Sequence, residues 1–535
     1  NELINHIENE AGIFNTSIDK NTNMAFFKSK NSITTLSLMQ GIINKSEKYL
    51  DCDINQCKDP NIISNLFGDI FFCESSYFIT IEDYFIFSNS EASLQYVIEN
   101  YKASNTLKNS NQFRSYKTYL SPKSNILFYI NIGKHFKDLT NQLHNKYQNN
   151  ISFVEDSLKN LTSFSTQISV KNNLLLNNIS IFYDEDFQEY IKEEWFTQLD
   201  TSIYIAPQFV KNHFTKEEMI LVQTNSNMLY AINSKGEIVW QKMIDSKIIG
   251  KISSIDVYKN NKYQCLFNTN NSIHIIDRNG DYVTGFPKIL PHETSQSHSL
   301  FDYENSKRYR IIIIGKDNKI YNFDSKGKKV RGWKHKRNDE DIINSAKHFR
   351  INKKDYILQE TGNSNSKLLA INGTERVTFN SSFFEFNNNN IQIDNNGTLH
   401  AITNEGKLWR ANLEGIATEI IIPYMTNNSL LTIGYIKGEK HLIFSNENTV
   451  FALDNDFNTI YSHNFKNKIA KIYFQNKYLI VQTTKEFTLI EDGELLKGFP
   501  IKTDGQFNIS DINNNGRLDI LNCQSGSLYR YELVD

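Results

Sequence analysis

The chain has 535 residues, of which 39% are hydrophobic, 22% charged and 13% aromatic, with a formal net charge of −2. At roughly 100–200 residues per domain, it has room for two to four domains, or for one small domain and a large repeat array, and its apolar content excludes wholesale disorder. The small net charge excludes a general electrostatic grip on nucleic acid or an anionic membrane, and no run of about 18 apolar residues exists to cross a bilayer as a helix.

The sequence opens at Asn1 without the charged, apolar and cleavage regions of a secretory signal, as expected of a processed or truncated N-terminus. Five cysteines, Cys52, Cys57, Cys73, Cys265 and Cys523, are too few and odd in number for a disulfide framework. Cys52-Asp-Ile-Asn-Gln-Cys57 can close a small loop, with Cys73 as a rival partner; reduced, partly buried thiols are the alternative. Tyr77-Phe-Ile-Thr-Ile and Tyr84-Phe-Ile-Phe-Ser read as strands, as does Asp69-Ile-Phe-Phe. Helical spacing follows a Ser/Asn cap region from Glu91 to Tyr101, and a second helix is predicted around Lys134–Gln148. Asn125–Asn131 reads as a strand, and Phe164–Val170 with Leu174–Tyr183 as a hairpin around Lys-Asn-Asn. Strands mixed with helices predict an α+β domain over residues 1–195, with the acidic stretch Asp184–Glu194 as its linker to the C-terminal two-thirds of the chain.

From about residue 219 one pattern recurs: an apolar strand, a polar turn, a second strand ending in an acidic residue or Asn, a Gly turn, and a third strand. The first copy runs Met219–Thr224, Met228–Asn233, Gly236 and Glu237–Trp240; the second Tyr263–Thr269, Ser272–Asp277, Gly280 and Tyr282–Pro287; the third Tyr309–Gly315, Lys319–Asp324, Gly327 and Lys329–Trp333. Looser copies begin at Tyr356, Ile391, His441 and Tyr478, with Lys407–Trp409 as the third strand of the copy at Ile391, and a partial copy begins at Leu518. A period of roughly 45 residues suits a four-stranded propeller blade, because one such sheet cannot bury either face alone, whereas a closed ring buries both and protects the edges. The pattern therefore predicts a mainly β chain: a seven- or eight-bladed β-propeller over residues 196–535, closed by a strand from before the first copy, Ser202–Ala206. Gly285-Phe-Pro287 and Gly498-Phe-Pro500 recur at matching positions, which points to packing between blades.

The segment Leu229-Tyr-Ala-Ile-Asn-Ser-Lys-Gly-Glu-Ile-Val-Trp240 resembles PQQ-like propeller repeats, with Trp409 in a similar place. Ile81-Glu-Asp-Tyr-Phe-Ile-Phe-Ser-Asn-Ser and Asn125-Ile-Leu-Phe-Tyr-Ile-Asn resemble a domain of unknown function found in large Gram-negative envelope proteins, several of them lipoproteins, where it precedes a propeller. The resemblance implies an outer-membrane-associated location and membrane association through a lipid anchor or a partner; the lipidated cysteine itself is not in this sequence. A propeller of similar type also serves as a scaffold in the outer-membrane β-barrel assembly machine, a fold-level analogy.

The motif Asp511-Ile-Asn513-Asn-Asn515-Gly516-Arg517-Leu-Asp519 resembles the calcium loops of FG-GAP and dockerin-like repeats. Side chains at 511, 513 and 515 would point inward, Gly516 would allow the turn, Arg517 would give a carbonyl and Asp519 would close the site; with two formal charges the affinity would be modest. A metal-free Asx-rich turn is the competing reading. Asp277–Asp281 and Asp454–Asp456 lack the closing acid and read as turns. The basic run Lys326–Arg331 and Lys334–Arg337 is broken by Asp339 and Glu340, and a solvated edge accounts for it more simply than a polyanion site. His335 and His348 read as surface or loop residues. There is no His-Glu-x-x-His, Gly-x-Ser-x-Gly or P-loop. A quinoprotein enzyme would be expected to carry a vicinal disulfide, and no adjacent cysteines occur. The expectation is a non-enzymatic scaffold in a hetero-complex with other envelope proteins, in outer-membrane assembly or secretion, with no nucleic-acid partner; a glycan-binding or glycan-cleaving surface protein is the alternative.

Overall fold

The computed structural model describes residues 3–16, 23–68, 71, 73–102, 106–110, 113, 116–132, 161–172, 174–183, 190–361, 366–379, 391–503, 505–524 and 526–534. The chain divides into two compact units, Asn1–Glu189 and Tyr190–Asp535. The boundary expected after residue 195 falls inside a strand, Ile191–Gln198, which pairs along its length with Ser527–Leu533 and so belongs to the second unit.

The first unit holds a six-stranded antiparallel sheet in the order Ile7–Phe14, Met24–Ser29, Tyr84–Ser88, Tyr77–Ile81, Cys52–Cys57, Ile43–Tyr49. Period-2 alternation sends its apolar side chains to two faces. Phe27, Phe78, Phe85 and Phe87 pack on one face against Met39 of α1 (Ser32–Met39) and Ile62 and Ile63 of α2 (Ile62–Phe67). Ile54, Ile79, Ile81 and Ile86 pack on the other against Leu94 and Ile98 of α3 (Glu91–Lys102). A separate three-stranded sheet joins Ile126–Asn131, Leu161–Lys171 and Leu174–Tyr183, the last two forming the expected hairpin. The helix expected at Lys134–Gln148, and all but residue 71 of the strand expected at Asp69–Phe72, lie outside the described residues. The five cysteines are free. The small Cys52–Cys57 loop is corrected: both lie on one extended strand, about 16 Å apart at 3.3 Å per residue, beyond the roughly 7 Å that a disulfide can span.

The second unit contains eight small antiparallel sheets among the described residues. Seven follow in chain order, over residues 208–243, 253–289, 299–323, 347–378, 392–420, 430–464 and 469–502. The eighth unites Phe507–Ser510, Asp519–Gln524 and Ser527–Leu533 with Ile191–Gln198. The run Arg310-Ile-Ile-Ile-Ile314 explains the arrangement. Ile311 and Ile313 join Leu266 and Ile275 of sheet two, whereas Ile312 and Ile314 join Ile357 and Leu369 of sheet four. A strand buried on both faces reads as a continuous apolar run, which is what the repeats contain. Each sheet shares such a cluster with the next, and the eighth shares one with the first, where Leu521 and Leu528 meet Ile220, Val222 and Ile232. The sheets therefore close a circle, a β-propeller.

Closure differs from expectation. Ile191–Gln198, not Ser202–Ala206, completes the eighth sheet; the latter segment makes only a bridge from Ile203 to Thr224. The later part of the supposed acidic linker is thus strand, and residues 184–189 lie outside the described ones. The copy beginning at Ile391 is also out of phase. The sequence pattern puts Lys407–Trp409 in the place of Glu237–Trp240, as the third strand of its copy, but Ile238–Met243 is the fourth strand of its sheet, whereas Leu408–Ala411 is the third of four and Ala417–Ile420 the fourth. The true equivalent of Leu229–Gly236 is Leu408–Gly415, with Gly236 at φ 84° and Gly415 at φ 86°. Gly406 closes a similar turn one strand earlier, so the turn alone does not fix the phase. Trp409 is accordingly a fully buried core residue and not a counterpart of Trp240. Phe286 and Phe499 of the two Gly-Phe-Pro segments pack into the clusters between sheets two and three and between seven and eight.

Candidate functional site

The loop singled out by sequence, residues 511–519, connects the first two strands of the closing sheet contributed by the C-terminus. Its geometry is built from Asx turns. Asp511 accepts hydrogen bonds from the backbone N–H of Asn515 at 3.0 Å and of Gly516 at 2.9 Å. Asn513 Oδ1 accepts from Asn515 N–H at 3.2 Å, and Asn515 Oδ1 accepts from Arg517 N–H at 2.9 Å. Gly516, at φ 86°, takes the left-handed turn that glycine adopts at no steric cost. The structure therefore gathers Asp511, Asn513, Asn515 and Arg517 on one exposed turn.

Asp519 is different. It is fully buried, accepts from the N–H of Ile512 at 2.8 Å, and meets the guanidinium of Arg530 at 2.9 Å from Nε and 2.8 Å from Nη2. The register explains the pairing: Asp519 lies opposite Glu532 and Leu521 opposite Arg530, so Asp519 and Arg530 are diagonal neighbours. Burial pushes the Asp519 carboxyl above its usual range, although the Ile512 N–H and Arg530 oppose that shift. Glu532 accepts from Asn515 Nδ2 at 2.8 Å and from Arg517 Nη1 at 2.9 Å. Burial would raise its carboxyl too, but Arg517 and Asn515 outweigh burial and hold it below the usual range. A calcium ion on this loop would have to share Asp519 with Arg530 or draw it away. Among the described residues, no cluster of three or more His, Cys, Asp or Glu side chains forms a metal centre.

Arg530 also ties the closing sheet to its neighbour, because its Nη1 donates to the carbonyl of Ser234 in sheet one at 3.0 Å. Trp195, on the N-terminal strand of the same sheet, donates from Nε1 to that carbonyl at 2.8 Å. Its ring covers Gly236, where an added Cβ would stand 2.7 Å from the indole. Sheets one and two repeat the device: Trp240 Nε1 donates to the Arg278 carbonyl at 2.8 Å, and its ring lies over Gly280. The glycines of the repeat are thus needed twice, for a positive φ and for the close approach of the preceding sheet's tryptophan.

Sequence reasoning missed Arg530 and Glu532. Their signal is two charges inside Ser527-Leu-Tyr-Arg-Tyr-Glu-Leu533, a strand otherwise patterned for burial, where an ion needs a partner. The turns at Asp277 and Asp454 are as expected: Asp277 accepts from Asn279 and Asp281 N–H, and Asp454 from Asp456 and Asn458 N–H. His335 lies in a loop but is buried, between the N–H of Ile320 and the side chain of Gln359. His348 is half-buried and paired with Asp355 at 2.9 Å.

No family model matches the chain, and no curated protein does. Among solved structures it is similar to BamB from Moraxella catarrhalis, at 14% identity and TM-score 0.43 over 64% of this chain and 97% of that one. It is also similar to Sqt1 from Saccharomyces cerevisiae, at 10% identity and TM-score 0.47 over 64% and 100%. Quinohemoprotein alcohol dehydrogenase from Comamonas testosteroni gives 9% identity and TM-score 0.44 over 64% and 76%. The propeller assignment rests on the ring of sheets and its closure, not on these likenesses.

Proposed function

We propose that the chain is a non-catalytic docking protein of the Gram-negative cell envelope, an eight-bladed propeller that joins other proteins in an outer-membrane assembly or secretion complex. The observation that carries the reading is the closed ring. Eight sheets packed face to face, with first and last strands sharing one sheet, form a rigid platform, and the turns between strands supply contact surface at no cost to the core. The envelope setting rests on the sequence resemblance at residues 81–90 and 125–131. Within this reading the 511–519 loop, cross-braced by Arg517, Arg530 and Glu532, keeps the closing sheet in register, and calcium is a ligand to be tested there.

The test is affinity purification of the tagged full chain from its own cells in mild detergent, followed by identification of stoichiometric companions. A defined set of envelope proteins is the expected result. A protein that always elutes alone, or that turns over a substrate, overturns the reading.

A further inference from the structure

Where the third and fourth sheets meet, a cleft of about 280 Å³ gathers four arginines from three separate segments: Arg308 and Arg310, Arg331, and Arg350. The basic run at 326–337 supplies only one of them; the fold brings in the other three. Arg310 Nη1 donates to the carbonyls of Arg308 and Tyr309 at 3.2 and 3.0 Å, and Arg350 Nη1 donates to the carbonyl of Tyr303 at 2.7 Å. Carbonyls hold the Arg310 guanidinium in place without neutralising it, whereas Arg350 shares its charge with Asp355. Arg308 and Arg331 are exposed, and neither side chain has a hydrogen bond or ion pair among the described residues.

Two carboxylates also line the cleft. Asp355 is committed to His348 at 2.9 Å and stands 3.9 Å from Arg350, which leaves Glu304 as the other negative charge. The cleft is therefore cationic before anything binds, and an arriving carboxylate relieves repulsion among the arginines as well as forming new contacts. Exposed Lys326, Lys328, Lys334 and Lys336 extend the positive field along the neighbouring loop, which favours encounter with an acidic partner.

The rest of the lining narrows the partner. Trp333 is half-buried with its Nε1 committed to the Ile320 carbonyl, and Ile371 is 48% exposed, so together they offer an apolar wall beside the guanidiniums. Arginine with tryptophan and tyrosine is the composition of protein-binding hot spots, whereas a bare polyanion needs no apolar wall. We propose that this cleft docks an acidic segment of a partner protein, its Asp or Glu carboxylates on Arg308 and Arg331 and an apolar side chain against Trp333 and Ile371. The inference rests on the docking role proposed above and names the chemistry of one contact.

The probe is a fluorescein-labelled peptide of repeated Glu-Glu-Leu, titrated with the full chain and followed by anisotropy. The expected result is a micromolar Kd that weakens about tenfold or more as NaCl is raised to about 0.5 M, and about tenfold or more again in Arg308→Ala/Arg331→Ala at low salt. Both arginines are exposed, so the double variant should melt with the wild type, and that melt certifies its fold. Absence of peptide binding at about 100 μM, equal binding by the double variant, or a sulfated oligosaccharide that binds while the peptide does not would each overturn the proposal. If companions still co-purify with the double variant in wild-type amounts, this cleft is refuted and the docking role stands. If nothing co-purifies with the wild type, the docking role itself fails.

Discussion

Replacing Arg530 by Met removes the cation from a carboxylate that has no access to water. Asp519 is fully buried and the Arg530 side chain is 7% exposed, so neither charge can turn to solvent. Breaking such a pair from one side costs about 3–5 kcal/mol, because the remaining charge is buried without compensation. The bond to the Ser234 carbonyl is lost as well, but that carbonyl keeps the indole N–H of Trp195, so this adds no more than about 1 kcal/mol. Urea unfolding at pH 7, followed by tryptophan fluorescence, should therefore show Arg530→Met less stable by about 3–5 kcal/mol. The second arm is rescue. Asp519→Asn in the Arg530→Met background keeps an oxygen for the Ile512 N–H and removes the stranded charge, and should recover about 2 kcal/mol or more. A single variant within about 1 kcal/mol of the wild type, or a double variant no better than the single, would refute the account of the closing sheet.

Four further outcomes concern other sites. Gly236→Ala should destabilise by about 2–4 kcal/mol, combining left-handed strain with the collision against Trp195, whereas Gly285→Ala, at φ 93° with open space around its Cβ, should show only the strain of about 1–2 kcal/mol; equal losses in thermal melts would remove the tryptophan from the argument. Burial pushes His298 down to about 3, so below its ordinary value near 6.5 the unfolded chain takes up a proton that the folded chain refuses. Stability should then fall by about 1.4 kcal/mol per pH unit from this group as pH drops from 6.5 towards 4, and His298→Gln should flatten that slope; an unchanged slope rejects the assignment. Burial pushes the thiols of Cys57 and Cys265 up to about 12, and all five cysteines are free, so a thiol reagent at pH 8 should react slowly with those two in the native protein and count five groups after denaturation, fewer than five disproving the free-thiol state. Because Asp519 already neutralises Arg530, millimolar calcium should raise the wild-type melting temperature by less than about 1 °C, while Arg530→Met, with its carboxylate released, should gain more; a larger rise in the wild type would restore the loop as a calcium site.

Much of the ring was legible because burial on both faces leaves a strong trace. Met219-Ile-Leu-Val and Arg310-Ile-Ile-Ile-Ile314 carry apolar residues at consecutive positions, and the Gly turn marks where each sheet reverses. The phase of the copy at Ile391 was not legible. Turns at 403–406 and 412–415 share the same polar-x-x-Gly form, and only the burial of Leu408, Trp409 and Ala411 shows that this strand is interior. The closing strand was hidden for a different reason. Ile191-Lys-Glu-Glu-Trp-Phe-Thr-Gln198 sits at an edge of its sheet, so its outward positions are charged and its composition reads as a linker. At the 511–519 loop, the motif located the turn and its side chains correctly. Its electrostatics depended on Arg530 and Glu532, which strand pairing brings back from beyond the motif and which no local spacing announces.

The pairing of Ile191 with Leu533 has a consequence for how the molecule is made. During synthesis, sheets one to seven can each assemble from neighbouring stretches of nascent chain, but the eighth waits until Ser527–Leu533 has left the ribosome. Until then Ile191–Gln198 has no mate, and the facing sides of sheets one and seven stay wet. Such a sequence-distant step makes folding slow and exposes adhesive edges meanwhile, and a chain cut before Ser527 would leave the ring open at Ile191–Gln198.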